Sequence, residues 1–281
     1  MAMVNAQIED ATAASVVASL RRLSFTYPNG TEALDGLSLD IPEGSVLGVC
    51  GPSGCGKSSL LALLAGIRRP TAGEIVWSDD PAVREGRAPR HPLSMVFQKD
   101  TLLPWATIDA NVRLFHTLNK SRRAEADEIV SELLELAGLT AFKDAYPYRL
   151  SGGMRRRAAF ISALAAQPRL LLLDEPFSSL DEPTRVAIHQ DVFDILRRLR
   201  TTVVLVTHDL AEAASLCDEI VILTHRPASI ATRHRVPFGA ERVMMELREQ
   251  TEFLELYGRL WHDLSRQIQR GPTESKGVDD R

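Results

Sequence analysis

The chain has 281 residues, 44% of them hydrophobic and 25% charged, which is the composition of an ordinary soluble globular protein. Its formal net charge of -4 provides no general basic field that would attract nucleic acid. The three cysteines form neither a metal-binding pair nor a disulfide framework, so a reducing compartment fits best.

The N-terminal 17 residues are small and polar and predict a disordered tail. This start lacks the basic residues of a signal peptide, and no apolar run in the chain approaches the ~18 residues needed to span a bilayer. Strands are predicted at 19–26 and 33–41, each followed by a turn signal. Tyr27 follows the first strand, and its ring is either a surface on which an adenine ring stacks or a half-buried turn residue.

The residues from Gly51 to Ser58 read G-x-x-x-x-G-K-[ST], the phosphate-loop (Walker A) pattern. An apolar strand at 46–50 precedes them and a helix-forming run at 59–65 follows, as the pattern requires. The glycines let backbone N–H groups turn around a polyphosphate, next to the positive end of the helix. Lys57 is predicted to reach the β- and γ-phosphates of a nucleotide, and the Ser58 hydroxyl to ligate Mg²⁺.

Further strands are predicted at 74–78 and 93–97, with a proline-rich loop between them. Gln98 ends the second of these strands, and its amide offers both an oxygen for Mg²⁺ or water and an N–H donor. A plain strand-end glutamine is the alternative. The next residues, Leu102-Leu103-Pro104-Trp105, predict a turn that is either a buried elbow or a docking patch for a partner.

Helical spacing from 107 to about 139 predicts a satellite helical subdomain. The next long helix begins after Ser151, a favourable cap, and Gly152 and Gly153 would let a phosphate approach the helix end closely. A plain cap with a flexible entry is the alternative. The three arginines at 155–157 are expected to form a solvated face.

Two strongly apolar segments predict strands that are buried on both faces of a parallel sheet. The first, at 170–173, ends in Asp174 and Glu175, at the edge of the sheet where ligands bind. Asp174 suits Mg²⁺, and Glu175 suits a general base for water. The second, at 203–206, leads to His208, which can donate to a γ-phosphate, although most lone histidines are structural.

The C-terminal part predicts one more helix, followed by a disordered tail from residue 271. Its apolar residues recur mostly at three and four positions and define one face, which packs on the domain or on a partner. These residues are Leu247, Leu254, Tyr257, Trp261, Leu264 and Ile268.

In this order, the motifs resemble those of the nucleotide-binding subunit of an ATP-binding cassette (ABC) transporter, over roughly residues 18 to 235. The motifs are G-P-S-G-C-G-K-S, Gln98, L-S-G-G, L-L-L-L-D-E, S-L-D and T-H-D. The phosphate loop alone would also fit kinases and GTPases, but the L-S-G-G cap together with His208 argues against both.

The resemblance implies an α/β fold with a P-loop NTPase core around a parallel sheet, an antiparallel β subdomain and a helical signature subdomain at about 99–166. The implied ABC ATPase domain spans 18–240, and a C-terminal helix spans 241–270. Disordered tails would then occupy 1–17 and 271–281.

The resemblance also implies roles for individual residues. Tyr27 would stack on adenine, Lys57, Glu175 and His208 would act in catalysis, and Ser58, Gln98 and Asp174 would ligate Mg²⁺. The phosphates of ATP would bind at Gly51, Pro52, Ser53, Gly54, Cys55, Gly56, Lys57, Ser58 and Ser59. The ATP held by a second subunit would bind at the signature residues Ser151, Gly152 and Gly153, and Asp181 would be the D-loop residue.

Met154 stands where many members of the family have Gln, but the phosphate contact comes from Ser151 and the glycines. Met154 and Leu103-Pro104-Trp105 both resemble the importer subfamily for nitrate, sulfonate, taurine and related solutes. This resemblance implies ATP and Mg²⁺ as cofactors, a head-to-tail homodimer, separate transmembrane permease subunits, a solute-binding protein and no nucleic acid. The chain would be peripheral, on the cytoplasmic face of the inner (cell) membrane.

The alternative function is that of a soluble ABC ATPase acting on nucleic acid or ribosomes. Those proteins usually carry long coiled-coil insertions or two cassettes, whereas this sequence has one cassette and no such insertion. A non-hydrolysing regulatory module does not fit the intact Lys57, Glu175 and His208. Cys55 within the phosphate loop predicts an enzyme that is sensitive to thiol reagents.

Overall fold

The computed structural model of the chain describes residues 15–78, 93–98, 101–121, 123–178 and 180–271. The predicted loop at 79–92 lies outside the described residues, as do 1–14 and 272–281 of the predicted tails.

The strands of the described residues form two sheets, which separate the parallel core from a smaller antiparallel layer. In chain order they are β1 (Val16–Thr26), β2 (Glu32–Pro42), β3 (Val46–Cys50), β4 (Ala72–Trp77), β5 (Leu93–Val96), β6 (Leu170–Asp174), β7 (Thr202–Val206), β8 (Glu219–Leu223) and β9 (Ile230–Arg235). The larger sheet has the order β5-β6-β7-β3-β8-β9, and only β9 pairs antiparallel in it. The smaller sheet, β2-β1-β4, is antiparallel, so the predicted α/β class is confirmed.

The helices cover both sheets and add a mostly helical region between β5 and β6. They are α1 (Lys57–Leu64), α2 (Ile108–Leu118), α3 (Arg123–Leu136), α4 (Gly152–Leu164), α5 (Glu182–Leu199), α6 (Leu210–Leu216), α7 (Met244–Leu247) and α8 (Thr251–Arg270). Short 3₁₀ turns at Thr140–Phe142 and Pro147–Arg149 complete the helical region.

The centre of the larger sheet is apolar because it is covered on both faces. Every residue of β3 and β7 is buried, as are the four leucines of β6. Since β6, β7 and β3 are parallel neighbours, the segments that follow them meet at one edge of the sheet. This edge brings the phosphate loop, the acids after β6 and the histidine after β7 together.

The helical run predicted from 107 to about 139 is divided by a turn. α2 ends at Leu118, and Lys120 has the left-handed φ of 52° before α3 begins at Arg123. A left-handed residue cannot continue a right-handed helix, so two shorter helices replace the single run. The first strand also begins earlier than predicted, because Val16 pairs with Pro42 of β2.

The face through which α8 packs is only partly the predicted one, because Leu247 and Leu264 of the predicted set are buried but its other four residues are exposed. Phe253, Leu256 and Leu260 are buried in the main core, together with Leu264. In contrast, the side chains of Leu254 (60%) and Trp261 (54%) are exposed to solvent, as are those of Tyr257 and Ile268. Both sets recur at three and four positions and lie on adjacent stripes of the helix, so periodicity alone does not decide which one is covered. The prediction that this face packs on the domain is therefore wrong for Leu254, Tyr257, Trp261 and Ile268, and their docking to a partner stays a prediction.

Candidate functional site

The phosphate loop forms the floor of an open cleft of about 520 Å³. The residues that line the cleft include several of the loop and two predicted site residues from other segments. These are Ser53, Gly54, Gly56, Lys57, Ser58 and Ser59, together with Tyr27 and Glu175. Three other residues of the loop, Gly51, Pro52 and Cys55, are buried and do not line the cleft. α1 begins at the loop without a side-chain cap, which leaves its first N–H groups to an anion such as a phosphate.

Lys57 supplies the positive charge of the phosphate loop. Its side chain is 7% exposed, and its ammonium group donates to the carbonyl oxygens of Gly51 at 2.8 Å and Pro52 at 3.0 Å. No carboxylate of the described residues forms an ion pair with it, so its charge is available to neutralise a phosphate.

Gly56 shows why the loop requires glycine. Its φ is 127°, and a Cβ at this position would lie 2.8 Å from the carbonyl oxygen of Ala33. Only glycine fits both the angle and the space, which brings the start of α1 close to β2.

Tyr27 lies at the same cleft and is held by three neighbours. Its hydroxyl is 2.8 Å from the Ser59 Oγ, and its ring meets the Phe25 ring edge-on with the centroids 4.8 Å apart. The guanidinium carbon of Arg68 is 4.9 Å from the centroid of the Tyr27 ring, within cation–π range. The ring is therefore fixed at the cleft wall, while its stacking on adenine stays a prediction.

Glu175 and His208 are in direct contact. The Oε2 atom of Glu175 lies 3.1 Å from the Nδ1 atom of His208, and Glu175 is half-buried. The Glu175 backbone has a φ of 47°, a left-handed value that is uncommon for a residue with a side chain. Its N–H donates to the carbonyl oxygen of Val206 at 2.9 Å, which ties it to the end of β7. Unusual backbone angles of this kind cluster at functional sites.

The residues present fit a Mg²⁺ ion bound together with phosphate. The Ser58 hydroxyl is exposed at the cleft, and the Asp174 carboxylate ends β6. Burial raises the pKa of Asp174, and the neighbouring Glu175 raises it further, whereas Lys57 lowers it. Hydroxyl and carboxylate oxygens are ligands that Mg²⁺ accepts, and it takes its other ligands from phosphates and water.

Gln98 is joined to the segment of Glu175 through another side chain. Its Nε2 donates to the Ser178 Oγ at 3.2 Å, and the Ser178 hydroxyl donates to the carbonyl oxygen of Glu175 at 3.1 Å. In this structure the Gln98 amide therefore faces the turn after β6 and is not among the residues that line the cleft.

The expectation of a solvated arginine face at 155–157 is wrong. Arg156 is 2% exposed and donates to the carbonyl oxygens of Phe97, at 3.0 Å, and Gln98. Arg157 donates to the carbonyl oxygen of Ala137 at 3.0 Å. Three consecutive arginines in the sequence do not predict these contacts, because the carbonyl groups that accept from Arg156 and Arg157 belong to segments distant from α4.

The signature residues lie outside the cleft of their own chain. The Ser151 hydroxyl accepts from the Met154 N–H at 3.3 Å and caps α4. A Cβ on Gly153 would lie 3.1 Å from Ile188 of α5, so this end of α4 packs against the helix that Asp181 caps.

Four residues that line the cleft were missed by sequence reasoning, and none of them belongs to a motif. They are Asn29, Thr31, Ala33 and Arg226. Arg226 reaches the cleft because the Ala228 N–H donates to the Ala33 carbonyl oxygen at 2.9 Å, which attaches the β8–β9 connection to β2. A sheet contact between such distant segments leaves no local pattern in the sequence.

Trp105 is 74% exposed, so the buried-elbow alternative is wrong for this side chain. The turn itself is ordered by Asn111, whose Oδ1 accepts from the Leu103 N–H at 2.7 Å. Asn111 also donates to the carbonyl oxygens of Leu103 and Ala106, each at 3.2 Å. The tryptophan is thus presented to the outside on a fixed turn.

A phosphate loop between a parallel strand and a helix, with acids after a nearby strand, defines a P-loop NTPase. The profile of one family, described as ABC transporter, matches residues 34–178. The chain belongs to the ABC transporter family. It is an ATP-binding subunit and an ATPase.

Relatives extend the similarity over most of the chain. The taurine import ATP-binding protein TauB of Roseobacter denitrificans is 33% identical over 268 residues, which cover 92% of this chain and 98% of that protein. The nitrate import ATP-binding protein NrtC of Synechococcus elongatus is 38% identical over 248 residues, which cover 86% of this chain but 37% of that longer protein.

Solved structures show the same fold. The dimeric structure of a post-hydrolysis state of the ATP-binding cassette MJ0796, bound to ADP and Pi, has a TM-score of 0.63 and 30% identity, over 79% of this chain and 100% of that chain. The structure of cbiO1 from Clostridium perfringens has a TM-score of 0.72 and 24% identity, over 89% of this chain and 96% of that chain.

Proposed function

We propose that the chain hydrolyses ATP in a head-to-tail dimer and thereby drives import of a small nitrate-, sulfonate- or taurine-like solute through separate permease subunits. The observation that carries this proposal is the division of the site. The cleft is lined by Lys57, Ser58 and Glu175, whereas the signature residues Ser151, Gly152 and Gly153 lie outside it. A second copy would bring its own signature residues over the γ-phosphate.

The contacts support the proposed catalytic roles. Glu175 accepts the proton of the attacking water, and His208, in contact with that carboxylate, is placed to hold the γ-phosphate. Lys57 neutralises the charge that develops on the phosphates, as phosphoryl transfer requires. When bound at Ser58 and Asp174, Mg²⁺ would add to this neutralisation, and Gln98 would join these ligands only after its amide turns away from Ser178.

Dimer opening and closing would follow the ATP cycle. With two nucleotides at the interface, ATP holds the copies together, and hydrolysis releases them. Asp181 caps α5 beside the signature end of α4, which supports its proposed role as the D-loop residue of this interface. The relatives named for taurine and nitrate import support an importer, and a solute-binding protein would deliver the solute.

In this proposal, the chain attaches to the membrane through a permease subunit. Among the described residues, no helix is long and apolar enough to cross a membrane. Trp105, exposed on a turn seven residues after Gln98, is the contact that we assign to a permease. The chain would then work as a peripheral protein on the cytoplasmic face of the inner membrane.

Co-purification tests the proposal. The Glu175→Gln variant, solubilised gently with ATP and Mg²⁺, should bring down a polytopic membrane protein, and its identity would indicate the solute. Recovery of ribosomes, DNA or soluble partners alone would contradict the importer and favour the soluble ABC ATPase.

A further inference from the structure

A buried acid and a buried imidazole face each other beside the Glu175–His208 contact. Glu212, in the first turn of α6, is 2% exposed, and His189, in α5, is 0% exposed. The Nε2 atom of His189 lies 3.9 Å from the Oε2 atom of Glu212, beyond hydrogen-bond distance. Among the described residues, neither ring nitrogen of His189 nor the Oε1 atom of Glu212 has a hydrogen-bond partner. Buried polar groups in this state are rare and call for an explanation.

The pair touches the chain on both sides of the catalytic contact. The His189 ring meets Phe177, two residues after Glu175, edge-on with centroids 4.8 Å apart. The Thr207 side chain lies close enough to the Glu212 carboxyl to lower its pKa, and Thr207 directly precedes His208. The Thr207 Oγ1 in turn accepts from the Asp209 N–H at 2.9 Å. One buried pair therefore supports both segments that meet at Glu175 and His208.

Other charged or titratable groups surround the pair from each neighbouring element. They are Arg185 of α5, Asp209 before α6, Glu175 after β6, Cys50 of β3, Cys217 after α6 and Arg248 between α7 and α8. α8 packs on α6 through the apolar residues Phe253, Leu256, Leu260 and Leu264.

The nearby cations already have partners. The Arg185 NH1 lies 2.8 Å from the Asp209 Oδ2, and its NH2 donates to the Leu180 carbonyl oxygen at 2.8 Å. Arg248 pairs with Glu182. An ionised Glu212 would thus be a buried charge without a counter-ion, next to the carboxylate of Asp209.

Both members of the pair are therefore neutral at pH 7. Burial, helped by Asp209, raises the pKa of Glu212 to about 8. Burial, helped by Arg248, lowers the pKa of His189 to about 3. Burying the two neutral groups costs less than burying the Glu212 carboxylate, which Asp209 and Glu175 would repel.

We propose that Glu212 and His189 are positioning residues for His208: in their neutral forms they hold the turn after β7 against Glu175, and ionisation of Glu212 at alkaline pH loosens it. This inference rests on the proposed roles of Glu175 and His208. The pair acts only through the turn, since neither residue lines the cleft.

Glu212→Gln provides the test, because the amide has the shape of the acid but cannot ionise. The turnover number and the KM for ATP are measured in the full chain from pH 6.5 to 9.5. The kcat of the wild type should fall by up to about tenfold between pH 7 and pH 9. The ratio of kcat at pH 9 to kcat at pH 7 should be several-fold higher in Glu212→Gln than in the wild type. KM should keep the same pH dependence in both proteins, since the phosphate loop is untouched. Glu246→Gln, which removes an exposed carboxylate of α7, is the matched control and should behave as the wild type.

Equal alkaline losses of kcat in the wild type and Glu212→Gln would overturn the inference. His208→Gln separates this failure from that of the proposed function: unchanged turnover in that variant at pH 7 would remove the assigned role of His208 itself. If Glu212→Gln does not fold, hydrogen exchange in the wild type replaces it. After correction for intrinsic rates, the amides of 207–212 should exchange faster at pH 9 than at pH 7 relative to those of β3, and an unchanged ratio would contradict the inference.

Folding stability gives a second readout with a defined sign. The folded pKa of Glu212 lies above the ordinary value of 4.5, so the folded state holds an extra proton between the two values. The stabilisation is complete below pH 4.5 and is lost as the pH rises to about 8. The midpoint of thermal unfolding should therefore fall less between pH 5 and 8 in Glu212→Gln than in the wild type, and parallel curves would contradict the assigned ionisation.

Discussion

The buried guanidinium of Arg156 donates to the backbone carbonyl oxygen of Gln98, so α4 and the segment after β5 are joined at one point. Arg156→Ala should lower the free energy of unfolding by about 1.5–3 kcal/mol, the range for hydrogen bonds to charged groups. It should also speed amide exchange at 97–98. Arg198→Ala, on the exposed side of α5, is the control for the lost charge. Unchanged stability and exchange in Arg156→Ala would show that this link does not order the segment.

Glu175→Gln should lower the turnover of ATP by about 10²–10⁴-fold, as the loss of a general base does. The amide keeps the size of the side chain, so the affinity for ATP should stay near that of the wild type. Steady-state ATPase assays and equilibrium binding measure the two effects separately. A near-normal turnover would remove Glu175 from the role of base.

Lys57→Ala should abolish tight nucleotide binding, because it removes the only cation of the described phosphate loop. Calorimetric titration with ATP and Mg²⁺ measures the affinity. Lys143→Ala, at an exposed position of the helical region, controls for the loss of one positive charge. An affinity that matches this control would speak against the phosphate-loop assignment.

Trp105→Ala should leave the ATPase activity of the isolated chain unchanged and reduce the share of the protein that sediments with membranes when the permease is co-expressed. The reason is its exposure, 74%, on a turn fixed by Asn111. Leu118→Ala removes another exposed apolar side chain and should have no effect. Equal membrane fractions in all three proteins would exclude Trp105 as the docking contact.

The cysteines should resist alkylation in the folded chain, contrary to the thiol sensitivity expected from the sequence. Cys50, Cys55 and Cys217 are all buried. Burial raises the pKa of each thiol, to about 12 for Cys50, so little reactive thiolate exists at neutral pH. Mass spectrometry after N-ethylmaleimide treatment should find no label before unfolding and three labels after it. A labelled Cys55 with lost ATPase activity in the folded chain would restore the original expectation.

Much of the site could be predicted because its motifs are local and follow strands. The phosphate loop needs only eight consecutive residues, and the parallel strands β6, β7 and β3 bring the segments after them to one edge. Glu175 and His208 could thus be expected near each other before any distance was known.

The remainder depends on packing between distant segments. Arg226 reaches the cleft through a contact with β2, and Glu212 gains its altered pKa from burial beside α5. A basic or acidic residue carries no sign of burial in its own neighbourhood. α8 shows the same limit, because two adjacent apolar stripes of one helix satisfied the same spacing rule.

The packing of α8 determines what can be removed from the chain. The buried residues of α8 belong to the same core cluster as Leu171 and Leu173 of β6. They are Phe253, Leu256, Leu260 and Leu264. Each buried side chain of this size contributes about 1.5–3 kcal/mol. A chain cut after residue 240 would therefore lose stabilisation comparable with the whole folding free energy of an ordinary domain. The C-terminal helix is part of the ATPase's folding unit, and the smallest chain that folds on its own should include it.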